Sequence, residues 1–141
     1  MQRCEEIMTR DPVCCAPGDT AVRAAQLMKS CDIGPVPVVE SRKVVGIVTD
    51  RDLALKVVAE GRDAARTKVG EIMTSEVVTC RSDDDVQSAL DAMMENQLRR
   101  IPVVDRQNVI VGMIAQADVA VKMAESGQVA GVVKEISRSD K

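Results

Sequence analysis

Apolar residues follow one order of spacings along this chain, and the order is used twice. A short apolar run at 13–15 leads to Asp19-Thr20, after which Ala21, Ala24, Ala25 and Met28 fall at i, i+3, i+4 and i+7. That spacing predicts a helix with one apolar stripe and an Asp/Thr cap. Two continuous apolar runs come next, 36–39 and 44–48, about the polar turn 40–43. Continuous runs are expected of strands covered on both faces. A second helix is predicted over 50–60, stopping before Gly61. The series then returns: a run at 77–80, a cap within 83–85, and a stripe at Val86, Ala89, Leu90 and Met93. Strands at 101–104 and 109–115 follow about the turn 105–108, then a helix over 116–126 before Gly127. The predicted order is β-α-β-β-α, twice.

Residue identities follow the same duplication. "EIMT" stands at 6–9 and again at 71–74, 65 positions on. The same offset joins Val13 to Val78, Cys15 to Cys80, Ala24 to Ala89, Met28 to Met93, and "PVV" at 37–39 to "PVV" at 102–104. After one inserted residue, Gly46 matches Gly112 and Asp52 matches Asp118. A three-stranded sheet with two helices buries little alone, so the copies are expected to form one domain. Repeat 1 is read over 1–62, a charged connector over 63–70 and repeat 2 over 71–128. A short terminal helix and tail are read over 129–141, on Val129, Val132, Val133 and Ile136 at helical spacing.

Composition narrows the chemistry. The chain has 141 residues, a net charge of −3, and no His, Phe, Tyr or Trp. A basic patch and aromatic platforms for nucleic acid are missing, so no nucleic-acid partner is expected. Without histidine, the commonest general base and metal ligand is gone. The five cysteines form no C-x-x-C pair, so no metal site is expected, and the odd count argues against a disulfide framework. No leader or membrane span is evident, and a cytoplasmic protein with reduced thiols is expected. Nothing assembles a nucleophile, base and orienting group, so no enzyme is expected.

"DIGPVPVVE", "QLRRIPVVD", "GIVTDRDLA" and "GMIAQADVA" carry a family resemblance. Each repeat resembles the CBS motif, and the chain resembles a stand-alone CBS pair, or Bateman module. The resemblance implies an α+β fold of two β-α-β-β-α CBS repeats packed sheet to sheet about a pseudo-two-fold axis. It implies two clefts shared between the repeats, with an adenine nucleotide as ligand, no required cofactor, and a homodimer. It places Gly46, Thr49, Asp52, Val78, Thr79, Cys80, Arg99, Arg100 and Ile101 at cleft one. A weaker cleft two takes Val13, Cys14, Cys15, Pro35, Val36, Gly112 and Asp118.

The residues themselves allow two readings of "TDRD" at 49–52. Thr49 can cap the following helix while Asp52 returns the bond, a capping box with Asp in the Glu position. Alternatively the carboxylate accepts from two neighbouring sugar hydroxyls while Thr49 and the helix N-terminus meet phosphate. Repeat 2 keeps Gly112 and Asp118 but has Ala115 in place of the hydroxyl. Arg99 and Arg100 suit phosphate oxygens by their planar fork, or form a solvated turn. With no aromatic ring, a base would lie between aliphatic side chains such as Val78 and Ile101. Two rival functions remain: a structural or protein-interaction dimer, with an unknown protein partner, and a thiol redox sensor built on Cys14-Cys15. Leu53, Val57, Val119 and Met123 are the candidate dimer stripe.

Overall fold

The structure, a computed structural model, describes residues 2–125. In chain order its elements are α1 (Cys4–Ile7), β1 (Thr9–Arg10), α2 (Ala21–Cys31), β2 (Val36–Glu40), β3 (Lys43–Val48) and α3 (Asp50–Leu53), which runs on into a π-helical turn (Ala54–Val58). Then come α4 (Val69–Ile72), β4 (Cys80–Arg81), α5 (Val86–Glu95), β5 (Arg100–Val104), β6 (Ile110–Ala115) and α6 (Gln116–Glu125). The fold is mixed α+β and the predicted order appears in both halves. The terminal helix read over 129–141 and the stop at Gly127 lie outside the described residues.

Local chemistry explains most boundaries. Thr20 Oγ1 accepts from Arg23 N at 3.2 Å and starts α2, and Asp85 Oδ1 accepts from Gln87 N at 3.0 Å and starts α5. Gly61, at φ +66°, closes the first repeat's second helix: Arg62 N donates to Val57 O (2.9 Å) and Gly61 N to Val58 O (3.1 Å). This is a Schellman stop. That helix is α-helical only over Asp50–Leu53, and Ala59 N then reaches back to Ala54 O at 2.9 Å. Nothing in the structure explains the widened turn.

The leading strands are shorter than the apolar runs predict. The run at 13–15 contributes a single parallel bridge, Cys15 to Val38, and the run at 77–80 contributes only β4, with Cys80 opposite Val103. A carboxylate ends each one. Asp19 Oδ2 accepts from Ala16 N (2.8 Å) and Asp84 Oδ2 from Arg81 N (2.9 Å), turning the chain out of the ladder.

The backbone gathers into two compact units that cut across the repeats. One takes its described residues from Met1–Pro12, Val78–Gln107 and Val111–Lys141; the other comprises Val13–Val77 and Asn108–Ile110. We call them the repeat-2 and repeat-1 units. The repeat-2 unit holds a sheet ordered β1-β6-β5-β4, with Thr9 of β1 opposite Met113 of β6. Ile7, Met93, Ile101, Val103, Ile114 and Val119 form its core. The repeat-1 unit is built on the β2-β3 hairpin, Val36 opposite Val48, edged by the bridges Cys15–Val38 and Ile47–Thr74. Its core includes Met28, Val36, Val38, Val48, Val69 and Ile72. In each unit, then, the edge segment beside the last strand comes from the other repeat's beginning.

This exchange gives every residue of the repeated "EIMT" a task. Glu6 Oε1 accepts from Arg3 N (2.9 Å) and Glu71 Oε2 from Lys68 N (2.7 Å), capping α1 and α4. Ile7 and Ile72 are core side chains, 2% and 1% exposed. Thr9 and Thr74 pair with β6 and β3. The methionines cover glycines: a Cβ at Gly46 would stand 2.5 Å from Met73 Sδ, and one at Gly112 2.5 Å from Met8 Sδ and 2.8 Å from the Thr9 carbonyl oxygen. Gly112→Ala must push the arm outward and is expected to lose about 1–3 kcal/mol, as overpacking typically does. Urea unfolding checks this against Gly18→Ala, where the new methyl meets nothing within 4 Å.

Candidate functional site

The segment 49–52 folds as the capping box. Thr49 Oγ1 accepts from Asp52 N at 3.1 Å, and Asp52 Oδ2 accepts from Thr49 N at 3.0 Å. The other carboxylate oxygen, Oδ1, pairs with Lys56 Nζ at 3.1 Å, and Lys56 also donates to Ile72 O at 2.9 Å. Asp52 is buried, 8% exposed. Both oxygens therefore serve the fold, joining the start of α3 through Lys56 to the end of α4.

Lys56 was not among the residues singled out from the sequence. Its counterpart Lys122 donates to Ile7 O in the repeat-2 unit. The two lysines stand 66 positions apart, in register with Asp52 and Asp118, and that match was the available signal. Each binds the last carbonyl of a four-residue helix, a group that otherwise lacks a helical partner.

Asp118 has a different setting. It lies in the first turn of α6 and is exposed, and Ala115 offers no hydroxyl for a box. Among the described residues its carboxylate has no ion pair. Two residues earlier, Gln116 N donates to Arg99 O (2.8 Å) and Gln116 Nε2 to Leu98 O (2.9 Å). These bonds hold the start of α6 against the segment carrying Arg99, exposed, and Arg100, half-buried. Neither guanidinium is in an ion pair among the described residues. The repeat-1 unit offers no such cation: there Gly34 faces Asp50, whose Oδ1 would lie 3.5 Å from a Cβ placed on the glycine.

The residues expected at cleft one divide between the units. Gly46, Thr49 and Asp52 belong to the repeat-1 unit, while Val78, Thr79, Cys80, Arg99, Arg100 and Ile101 belong to the repeat-2 unit. Those expected at cleft two divide likewise: Val13, Cys14, Cys15, Pro35 and Val36 in the first, Gly112 and Asp118 in the second. Within one unit, the structure brings Arg99 and Arg100 together with the helix start that carries Asp118. Several expected wall residues are core residues of their own unit. Ile101 and Val36 are fully buried, and Cys15 and Cys80 nearly so, which leaves their backbone and not their side chains for a ligand. Val78 and Thr79 remain half-buried. The space over Gly46 and Gly112 is filled by Met73 and Met8, so both glycines serve packing.

A model of the CBS domain matches residues 4–59 and 69–125. The chain belongs to the CBS-domain family. It is 36% identical over 140 residues to the CBS domain-containing protein YhcV of Bacillus subtilis, covering 99% of each chain. Among solved structures, Hypoxic Response Protein I with two coordinated zinc ions matches with a TM-score of 0.78 at 30% identity, covering 85% of this chain and 98% of that one. The CBS domain pair of protein MJ0100, in complex with 5-methylthioadenosine and S-adenosyl-L-methionine, matches with a TM-score of 0.77 at 25% identity, covering 89% and 98%. In this CBS pair, no three His, Cys, Asp or Glu side chains among the described residues converge as a metal site. No helix among them is long and apolar enough to cross a membrane.

Proposed function

We propose that this CBS pair is a non-catalytic sensor that binds an adenine nucleotide, with phosphate on Arg99 and Arg100 and the ribose hydroxyls on Asp118. The observation that supports this most is the Gln116 clamp. It holds the segment that carries Arg99 and Arg100 against the helix start that carries Asp118, and among the described residues none of these three side chains is in an ion pair. Guanidinium suits phosphate, and a carboxylate is the right acceptor for two neighbouring hydroxyls. Half-buried Val78 and Thr79 supply an aliphatic edge and a hydroxyl for the base and sugar. The relative that binds 5-methylthioadenosine and S-adenosyl-L-methionine supports the adenosine half of the ligand.

Calorimetry with AMP and adenosine tests the reading. AMP is expected to bind at least about tenfold tighter, since one charge-assisted hydrogen bond contributes roughly 1.5–3 kcal/mol. Arg99→Ala with Arg100→Ala should bring AMP down to adenosine's affinity. Equal binding of the two ligands by the wild type defeats the assignment.

A homodimer is part of the same reading, but through other residues than the expected stripe. Val57 and Val119 are buried in their own cores, and the Met123 side chain lies outside the described set. Leu55, Val58 and Val121 are the large exposed apolar residues among the described side chains of those helices, 48%, 76% and 53% exposed.

A further inference from the structure

The two repeats share one backbone path at the end of the first long helix and differ in the side chains that follow it. In the repeat-2 unit α5 ends in a Schellman turn: Gln97 stands at φ +55°, Leu98 N donates to Met93 O at 2.7 Å and Gln97 N to Met94 O at 3.3 Å. In the repeat-1 unit Asp32 stands at φ +52° after α2, and Ile33 N donates to Met28 O at 3.0 Å. Both segments leave their helix alike, then run into Arg99-Arg100 in repeat 2 and Gly34-Pro35 in repeat 1. The residue that opens the later helix differs with them: Gln116 of α6 against Asp50 of α3, 66 positions apart. We propose, on the nucleotide reading above, that Gln116 is a positioning residue that sets the preference for a phosphorylated ligand, by holding the arginine segment while staying uncharged beside it.

Two properties of the side chain carry this. The first is that it donates. Gln116 Nε2 bonds Leu98 O at 2.9 Å and its backbone N bonds Arg99 O at 2.8 Å, so two successive carbonyls ahead of β5 are tied to the start of α6. An aspartate could not make the first bond, because a carboxylate only accepts. Asp50 turns to its own helix instead, its Oδ1 taking the Arg51 N–H at 3.0 Å.

The second property is neutrality. Asp50 Oδ1 lies 3.5 Å from where a Cβ on Gly34 would stand, so a carboxylate at this point sits at the root of any side chain in the matching Arg99 position. There it would draw the guanidinium to itself and repel an incoming phosphate. The amide of Gln116 leaves Arg99 and Arg100 to the ligand, while the matching place in the repeat-1 unit is set against phosphate.

Calorimetry with AMP and with adenosine on the wild type, Gln116→Met and Gln116→Asp tests this, with melting of each unliganded protein as the folding control. Gln116→Met keeps length and neutrality and removes only the donor. AMP should weaken by about threefold or more, the scale of one neutral hydrogen bond, with adenosine unchanged. Gln116→Asp gives repeat 2 the residue of repeat 1 and should bring AMP down to adenosine's affinity. Where Gln116→Asp does not melt cooperatively, Gln116→Met decides alone. A wild-type ratio of AMP to adenosine affinity in either folded variant overturns the proposal, and so does an equal loss of both ligands, which marks a purely structural role. A wild type that binds AMP and adenosine equally removes the nucleotide reading itself.

Discussion

Asp118→Ala is expected to weaken AMP binding at least about tenfold while leaving the melting temperature of the unliganded protein unchanged. Asp52→Ala is expected to do the reverse. The two aspartates occupy matching positions, yet their oxygens are committed differently. Asp52 gives one oxygen to the Thr49 N–H and the other to Lys56, so removing it strips a cap and leaves the Lys56 ammonium with only the Ile72 carbonyl. Loss of a cap costs about 1 kcal/mol. Asp118 is exposed and has no box to lose. Two hydroxyls bound to one carboxylate are charge-assisted bonds, each worth roughly 1.5–3 kcal/mol, and about 1.4 kcal/mol is already tenfold. Calorimetry with AMP and melting without ligand, on both variants, separate the two roles. If Asp52→Ala abolishes binding with its fold intact and Asp118→Ala spares it, the ligand site has been placed on the wrong aspartate.

Ile7→Ala is expected to be the most destabilising change, losing about 2–5 kcal/mol, as buried Ile→Ala substitutions do. Ile7 belongs to the short α1 that precedes the first repeat's main helix, yet it is a core residue of the other repeat's unit. Here its side chain is 2% exposed and packs among Met93, Ile101 and Ile114. Ile72→Ala should act similarly through Val36, Val48 and Val69. Chemical denaturation checks both. A loss below about 0.5 kcal/mol for Ile7→Ala, the range of ordinary surface substitutions, means that the arm is not part of that core.

Much of this was legible in the sequence because it depends on local chemistry. The helical stripes, Thr20 and Asp85 as caps, the polar hairpin turns and the Gly61 stop follow from spacing and residue type. So does the Thr49–Asp52 box, which had to be weighed against a ligand role because both use the same oxygens. What stayed hidden depends on partners distant in the chain. Met8 and Met73 show in the sequence only as part of the repeated "EIMT", and only the fold sets them over Gly112 and Gly46. The assignment of residues to shared clefts came from resemblance. The Gln116 bonds to Leu98 and Arg99, which join Arg99 and Arg100 to the Asp118 helix, have no signature in spacing. Ile101 and Val36 read equally well as cleft walls or core, because apolarity alone does not say which face a strand residue takes.

The exchange of leading arms decides what one repeat alone would do. A polypeptide ending soon after Gly61 would carry the hairpin, its helices and a bare Gly46, but not Ile72 or Met73 to cover them. Its own arm carries Glu6, Ile7 and Met8, the same residues as the Glu71, Ile72 and Met73 that cover the hairpin in the full sequence. Such a half-length chain would bury its apolar edge by lending that arm to a twin and borrowing the twin's in return. Joining two copies end to end turns this loan between molecules into one within a molecule. The arm that completes each unit is then supplied from within the chain.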